Sequence, residues 1–422
     1  MKSKRFFLAA LPMILTIISA GCNKTLTPHP DTPDLYPISE ASSETPEVYP
    51  IVKESTAPST DQPVATASTP EAVPTLSVPL RTLSMFSDGK GWGLAEHNRL
   101  LNTQDKGYTW QDMTPDPALI PEAEFSPGVF TYFLDGEKAW YLLSDFETST
   151  LFISSDTGET WTESTLSFPG GQLYFIDAMN GYLLSNLGVC AGSQWVALYH
   201  TSDGGLTWEQ RFSHEPGTES DLPGSGIKNG MTFIDDQNGW ITGSVPIDSY
   251  IYLYRTRNGG VNWEEAQISI PDSLSGSFLE AISVICPPSP GGNMLLIPVR
   301  VLGTSDPYPL AFFQSLDSGE TWSLLSSVPD ASRSDFADSL SGISGGEQTL
   351  FVTSDGAQTW SDLSTNLPKG ESLLQIESVS DGNLCMLTTP TPEDLSVVHL
   401  YRSANSGASW ELLPAVLTSS SR

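Results

Sequence analysis

One eight-residue pattern constrains this chain more than any other feature, because it recurs seven times. It reads Ser/Thr-x-Asp-x-Gly-x-Thr-Trp, from Thr103 to Trp110, Ser154 to Trp161, Thr201 to Trp208 and Thr256 to Trp263. Three further copies run from Ser315 to Trp322, Thr353 to Trp360 and Ser403 to Trp410. Successive tryptophans are 51, 47, 55, 59, 38 and 50 residues apart, about the length of one four-stranded propeller blade.

The octamer's chemistry explains its spacing. Asp105, Asp156, Asp203, Asp317 and Asp355 can accept hydrogen bonds from the backbone of a tight turn, and Asn258 and Asn405 keep an acceptor without the charge. The glycine two positions on supplies the positive φ that a hairpin needs, except in the sixth copy, where Ala357 follows Gly356. The tryptophan then opens a strand and buries a large ring. These seven Asp and Asn positions therefore read as structural.

A second motif precedes most copies: Phe86-Ser-Asp88-Gly89…Trp92, Phe133-Leu-Asp135-Gly136…Trp140, Phe175-Ile-Asp177…Gly181-Tyr182 and Phe233-Ile-Asp235…Gly239-Trp240. Weaker echoes stand at Phe336-Ala-Asp338 and Val379-Ser-Asp381-Gly382. Each reads as strand, polar turn and strand. Adding the octamer hairpin gives four antiparallel strands per unit, A to D. The expected fold is all-β: a seven-bladed β-propeller, a closed ring that leaves few sheet edges.

Together the two motifs resemble the BNR/Asp-box propellers, above all the photosystem II stability/assembly-factor type. Thr201-Ser-Asp203-Gly204-Gly205-Leu-Thr207-Trp208 has that family's form outright. The resemblance covers residues from about 80 to 415 and implies a propeller fold. It leaves function open, because sialidases, xyloglucanases, sortilin-like receptors and assembly factors share the box. A sialidase implies an arginine triad, an Arg-Ile-Pro signature and a Tyr–Glu pair. No arginine here precedes Ile-Pro, and Arg255, Arg257 and Arg402 lie beside octamers. The assembly factor's arginine-rich patch is not recognisable either, so a photosynthetic role is not carried over.

The chain's start reads as an export signal. Lys2, Lys4 and Arg5 precede an apolar run from Phe6 to Ile18, which ends in Ser19-Ala20-Gly21-Cys22. This resembles a bacterial lipobox, with Ser19 where the family usually has Leu, and implies lipidation of Cys22. Residues 1–22 are thus the lipoprotein signal, 23–78 a disordered Thr/Pro/Ser-rich tether with a mean span of about 40 Å, 79–416 the propeller and 417–422 a tail. The expected location is the extracytoplasmic face of a cell membrane, held through the lipid on Cys22.

A formal charge of −31 excludes nucleic acid and direct adhesion to anionic lipid. Cys190, Cys286 and Cys385 show no pairing or CxxC pattern, and the five His show no metal-ligand spacing. No cofactor or metal is implied; a bound Ca²⁺ would suit the acidity but has no indicated ligands. Gly342-Ile343-Ser344-Gly345-Gly346 matches a nucleophile-elbow pattern but falls in a hairpin rather than before a helix.

The A–B turns and octamers belong to one face of such a propeller, the B–C and D–A connections to the other. The irregular insertions are read as Pro115–Phe130, Asn186–Trp195, His214–Lys228, Val245–Tyr250, Val301–Pro309 and Thr388–Val397. They place the candidate ligand face at Trp195, Glu215, Asp221, Asp248, Tyr250, Asp306 and Tyr308, with Glu122, Glu124, Phe125, Glu219, Glu393 and Asp394 nearby. Aromatics among carboxylates suit a protein or glycan partner, and the expected module is a monomeric, non-enzymatic scaffold or assembly factor. The alternative is a glycoside hydrolase of sialidase or xyloglucanase type, using two acidic loop residues.

Overall fold

A computed structural model describes residues 80–116, 128–145, 147–287, 294–303, 308–380, 382–392 and 395–418. The strands form seven antiparallel sheets, each from four consecutive strands. Blade 1 begins at Leu80, blade 2 at Gly128, blade 3 at Gly171 and blade 4 at Ile227, followed by blade 5 at Phe278, blade 6 at Arg333 and blade 7 at Ser372. First strands of neighbouring blades approach one another, so each first strand is the inner one and each fourth strand the outer. The helical pieces among the described residues are short 3-10 turns such as Glu96–Asn98 and Asp272–Leu274.

The apolar core is divided among the wedges between blades. Trp92, Leu100 and Met113 of blade 1 pack with Phe133, Tyr141 and Phe152 of blade 2. Leu296 and Phe312 of blade 5 pack likewise with Phe336 and Phe351 of blade 6. The second motif builds these wedges. Phe175 of blade 3 stacks on Trp140 of blade 2 with centroids 3.6 Å apart, and Phe233 of blade 4 stacks on Tyr182 of blade 3 at the same distance. The glycine before the second strand's aromatic serves close approach: a Cβ at Gly181 or Gly239 would lie 2.4 Å from the ring of Phe175 or Phe233.

The octamers fold as one repeated device. In blade 3, the Thr201 hydroxyl accepts the Gly205 amide at 2.9 Å and donates to Asp203 at 2.8 Å. Asp203 in turn accepts the Thr207 amide at 2.9 Å and the Thr207 hydroxyl at 2.6 Å. The Trp208 indole closes the turn by donating to the Gly205 carbonyl at 3.0 Å. Two successive residues take left-handed φ, where the sequence pattern asks for one; the sixth copy does so with Gly356 at +74° and buried Ala357 at +71°.

Inner edges are stitched to the next blade by side chains, which occupy backbone groups that no strand pairs. The Gln375 amide of blade 7 donates to the Leu83 carbonyl of blade 1 at 2.7 Å, and its oxygen accepts the Leu83 amide at 3.0 Å. Buried Glu377 accepts the Met85 amide at 2.7 Å. The ring is also closed at its rim. Val416–Thr418 adds a fifth, parallel strand to the outer strand of blade 1, Thr109–Asp112. The propeller thus reaches Thr418, two residues into the segment read from sequence as a tail.

Candidate functional site

The inner strands all start at the end of the ring where B–C and D–A connections gather, so their first residues ring the channel mouth. In blade 4 the inner strand Ile227–Phe233 opens with Lys228 and Asn229. Lys228 is buried, and its Nζ lies 2.8 Å from the Pro223 carbonyl, 3.1 Å from that of Gln194 and 3.2 Å from those of Gly224 and Ser225. The Gly226 carbonyl stands at 3.4 Å, and the Tyr252 ring lies 5.2 Å from the ammonium. Burial pulls the ammonium down to about 8.

Beside it, the Gln172 amide of blade 3 donates to the carbonyls of Lys228 and Asn229, and Asn229 donates to the Ala281 carbonyl of blade 5 at 3.0 Å. Arg300 donates to Glu280 at 2.8 Å across the first two strands of blade 5. Arg333 opens blade 6 and donates to Ser332 at 2.9 Å. Burial and the nearby Arg300 charge lower its pKa, while Glu347 of the adjoining turn opposes them. The mouth of blades 4 to 6 is therefore a mixed-charge patch, with Arg333 at the start of its strand and Arg300 within its own.

The sequence-derived candidates are distributed around this patch. The segment Asn186–Trp195 is not a loop: it is an extended hairpin, Gly181–Cys190 paired with Ser193–Thr201, in which half-buried Trp195 faces Gly188. Alternating Ser, Asn and Gly hid this pairing. Glu215 is exposed on the blade 3 to blade 4 connection. Exposed Asp221 of that connection accepts from Asn262 of the blade 4 octamer at 3.1 Å. At this contact an octamer and a long connection meet, although the sequence reading set them on opposite faces.

Exposed Asp248 bridges to Phe278 of blade 5, and the Tyr250 hydroxyl meets that of Tyr254 at 3.3 Å. Tyr308 is 44% exposed. Asp306, Glu122, Glu124, Phe125, Glu393, Asp394 and Cys22 lie outside the described residues. Glu280, Arg300 and Arg333 lie outside the long connections that carried the sequence-derived candidates, and Lys228, which ends one of those connections, was not among the candidates. For Arg300 the signal was a charged residue inside the otherwise apolar strand Leu295–Leu302.

Nine carboxyls are displaced downward: Asp105, Asp112, Asp145, Asp156, Asp203, Asp317, Glu320, Asp355 and Asp362. Burial pushes Asp105, Asp156 and Asp203 up, yet hydroxyl and amide donors within the octamer outweigh it. Thr321 and Thr359 hold Asp317 and Asp355 down directly. Glu320 is drawn to about 2 by Arg257, then Arg255. Among the described residues no group of three or more His, Cys, Asp or Glu could hold a metal ion. Cys190 is exposed on blade 3, Cys286 half-buried in blade 5 and Cys385 buried in blade 7.

No family model and no curated protein matches the chain. Solved structures do match its fold. YCF48 bound to a D1 peptide aligns over 80% of this chain and 100% of its own, at 18% identity and a TM-score of 0.51. A GH74 enzyme from Niastella koreensis aligns over 82% of this chain at 11% identity and a TM-score of 0.54. An ancestral GH74 enzyme aligns over 81% at 11% identity and a TM-score of 0.51. This chain spans 55% and 47% of those two enzymes. These likenesses are likenesses of fold.

Proposed function

We propose that the chain is an extracytoplasmic binding or scaffold module, tethered through a lipid on Cys22, whose long-connection end takes a protein or glycan partner. The observation carrying this reading is the polar mouth of blades 4 to 6. Glu280 with Arg300, Arg333 with Ser332, and Asn229 present donors and acceptors from rigid strands beside the long connections. Trp195, Tyr250 and Tyr308 add aromatic surface around it. The YCF48 structure, a propeller holding a D1 peptide, offers a precedent for the protein arm.

Glycoside hydrolysis asks for a carboxylic acid held above its ordinary pKa and a second carboxylate about 5–9.5 Å away. The octamer aspartates are held low by turn donors, which suits neither role. The deciding experiment is capture of surface partners by the domain from Thr75 onward, compared with an Arg300→Ala, Arg333→Ala variant. A saturable partner lost in the variant is expected. Release of reducing sugar from a glycan panel by the wild-type protein would instead establish the enzyme. For the anchor, Cys22→Ala should move the protein out of the membrane fraction, and unchanged retention would defeat that part.

A further inference from the structure

The connection from blade 3 to blade 4, residues 215–226, turns its carbonyl groups inward around two basic side chains. Its inner half is fixed on Lys228 and on the blade 3 hairpin. The Gln194 amide donates to the Gly224 carbonyl at 2.8 Å, and the Gly226 amide donates to the Gly192 carbonyl at 2.8 Å. The Tyr252 hydroxyl adds a bond to the Pro223 carbonyl at 3.0 Å.

Its outer half rests on His214, the last residue of the outer strand Glu209–His214. This ring is buried, with Nδ1 2.8 Å from the Leu222 carbonyl and Nε2 3.2 Å from the Thr218 carbonyl. Carbonyl oxygens only accept. A neutral imidazole has one N–H, so it can satisfy one of these contacts while pointing a lone pair at the other oxygen. Only the imidazolium makes both bonds, and each then gains from the charge.

We propose that residues 215–226 form a proton-operated flap: protonated His214 holds its outer half down, and loss of one proton releases that half while Lys228 keeps the inner half in place. The outer half carries Leu222, which is fully buried in the core cluster with Val196 and Tyr252; the inner half stays over Trp195. A Cβ at Gly224 would lie 3.0 Å from the His214 ring and 3.3 Å from the Trp195 indole nitrogen, so the segment passes closely between the two. The ionisable groups around the device are few. Glu215, Glu219 and Asp221 are exposed on the flap itself. Tyr199 comes from the third strand of blade 3 and Tyr252 from the third strand of blade 4. Arg211, on the strand of His214, lies 3.2 Å from Glu209 and 3.3 Å from the His200 ring.

The flap stands or falls independently of the binding reading. Its consequence, that rising pH frees the acidic outer half with Glu215, Glu219 and Asp221 for a partner, rests on that reading.

Amide hydrogen exchange of the full chain, corrected for intrinsic rate, tests the device between pH 5 and 7.5. Segment 216–222 should lose protection about ten-fold, with a midpoint matching the ring titration of ¹⁵N-labelled His214, while 223–226 stays unchanged. His214→Gln should remove the pH dependence. Flat protection across the ring titration would overturn the flap, as would an unaltered pH response in His214→Gln. Should that variant not fold, the wild-type ring decides. Two protonated nitrogens in the closed state support the flap, and one protonated nitrogen refutes it.

Discussion

The indole nitrogen of Trp140 in blade 2 donates to the backbone carbonyl of Gly204 in blade 3 at 2.7 Å. This one bond joins the two sequence motifs across a blade boundary, since Trp140 belongs to the second motif and Gly204 to the octamer. A left-handed turn exposes that carbonyl (φ of Gly204 is +77°), and the stack on Phe175 fixes the indole beneath it. Two other rings of the second motif donate instead to that motif's own turn in the next blade: Trp92 to the Asp135 carbonyl at 3.1 Å and Tyr182 to the Asp236 carbonyl at 3.0 Å.

Trp140→Phe should therefore keep the aromatic stack and lose the bond, leaving a carbonyl without its buried donor. The expected cost is about 1–3 kcal/mol, against about 3–5 kcal/mol for Trp140→Ala. Urea unfolding measures both. Equal losses in the two variants would show that ring packing matters and the bond does not.

The octamer aspartates predict an acid limb to stability. Their hydroxyl and amide donors favour the carboxylate, so each folded pKa lies below the unfolded value near 4. This stabilisation is complete above that value and is lost as pH falls through the folded pKa. Asn258 and Asn405 make the same amide contacts, accepting from Asn262 at 3.0 Å and Ser409 at 2.9 Å, without a titrating group. Replacing Asp105, Asp156 and Asp203 by Asn should flatten the melting temperature between pH 5 and 2. An acid limb as steep as wild type would place its origin elsewhere.

The fold was legible because its determinants are local and repeated. A turn that needs Ser/Thr, Asp, Gly and Trp at fixed offsets writes itself into the sequence seven times. Trp140 and Phe175 could be recognised as strand residues, but not as partners, since their contact is made between blades. The same limit hid the mouth. Arg300 meets Glu280, and Arg333 feels Arg300, only through sheet pairing and the packing of neighbouring blades. The role of Gly181 was not legible either, since the Phe175 ring that excludes a side chain there comes from the facing strand.

Lys228 gives a test at alkaline pH. Burial holds its folded pKa at about 8, below the unfolded value near 10.4. Between these values the unfolded chain carries the extra proton, so stability should rise with pH across that window. Lys228→Met should remove this rise. It should also destabilise the protein by about 1–3 kcal/mol at pH 7, because the carbonyls of residues 223–226 lose their donor. A stabilised Lys228→Met protein at pH 7 would mean that desolvation of the ammonium outweighs the carbonyl cage.

Closure of the ring is carried by two dissimilar fastenings, and they should fail differently. At the rim, Val416, Leu417 and Thr418 pair in parallel with Thr109, Trp110 and Gln111, and the Thr418 hydroxyl donates to the Trp110 carbonyl at 3.0 Å. At the axis, Gln375 makes two bonds to the Leu83 backbone. Both seams flank one apolar wedge, in which Leu80, Leu83 and Trp110 pack with Leu387, Leu400 and Leu413. Truncation after Ala415 removes little buried surface, since Val416 and Thr418 are exposed. It should lower the melting temperature by only a few degrees and speed exchange in the outer strand of blade 1. Gln375→Leu leaves both the amide and the carbonyl of Leu83 without partners at the inner edge. It should cost more, about 1–3 kcal/mol, and speed exchange at the Leu83 amide while blades 3 to 5 stay protected. Exchange rising equally in all blades of either variant would contradict a localised seam, because it would mean the ring opens as a whole.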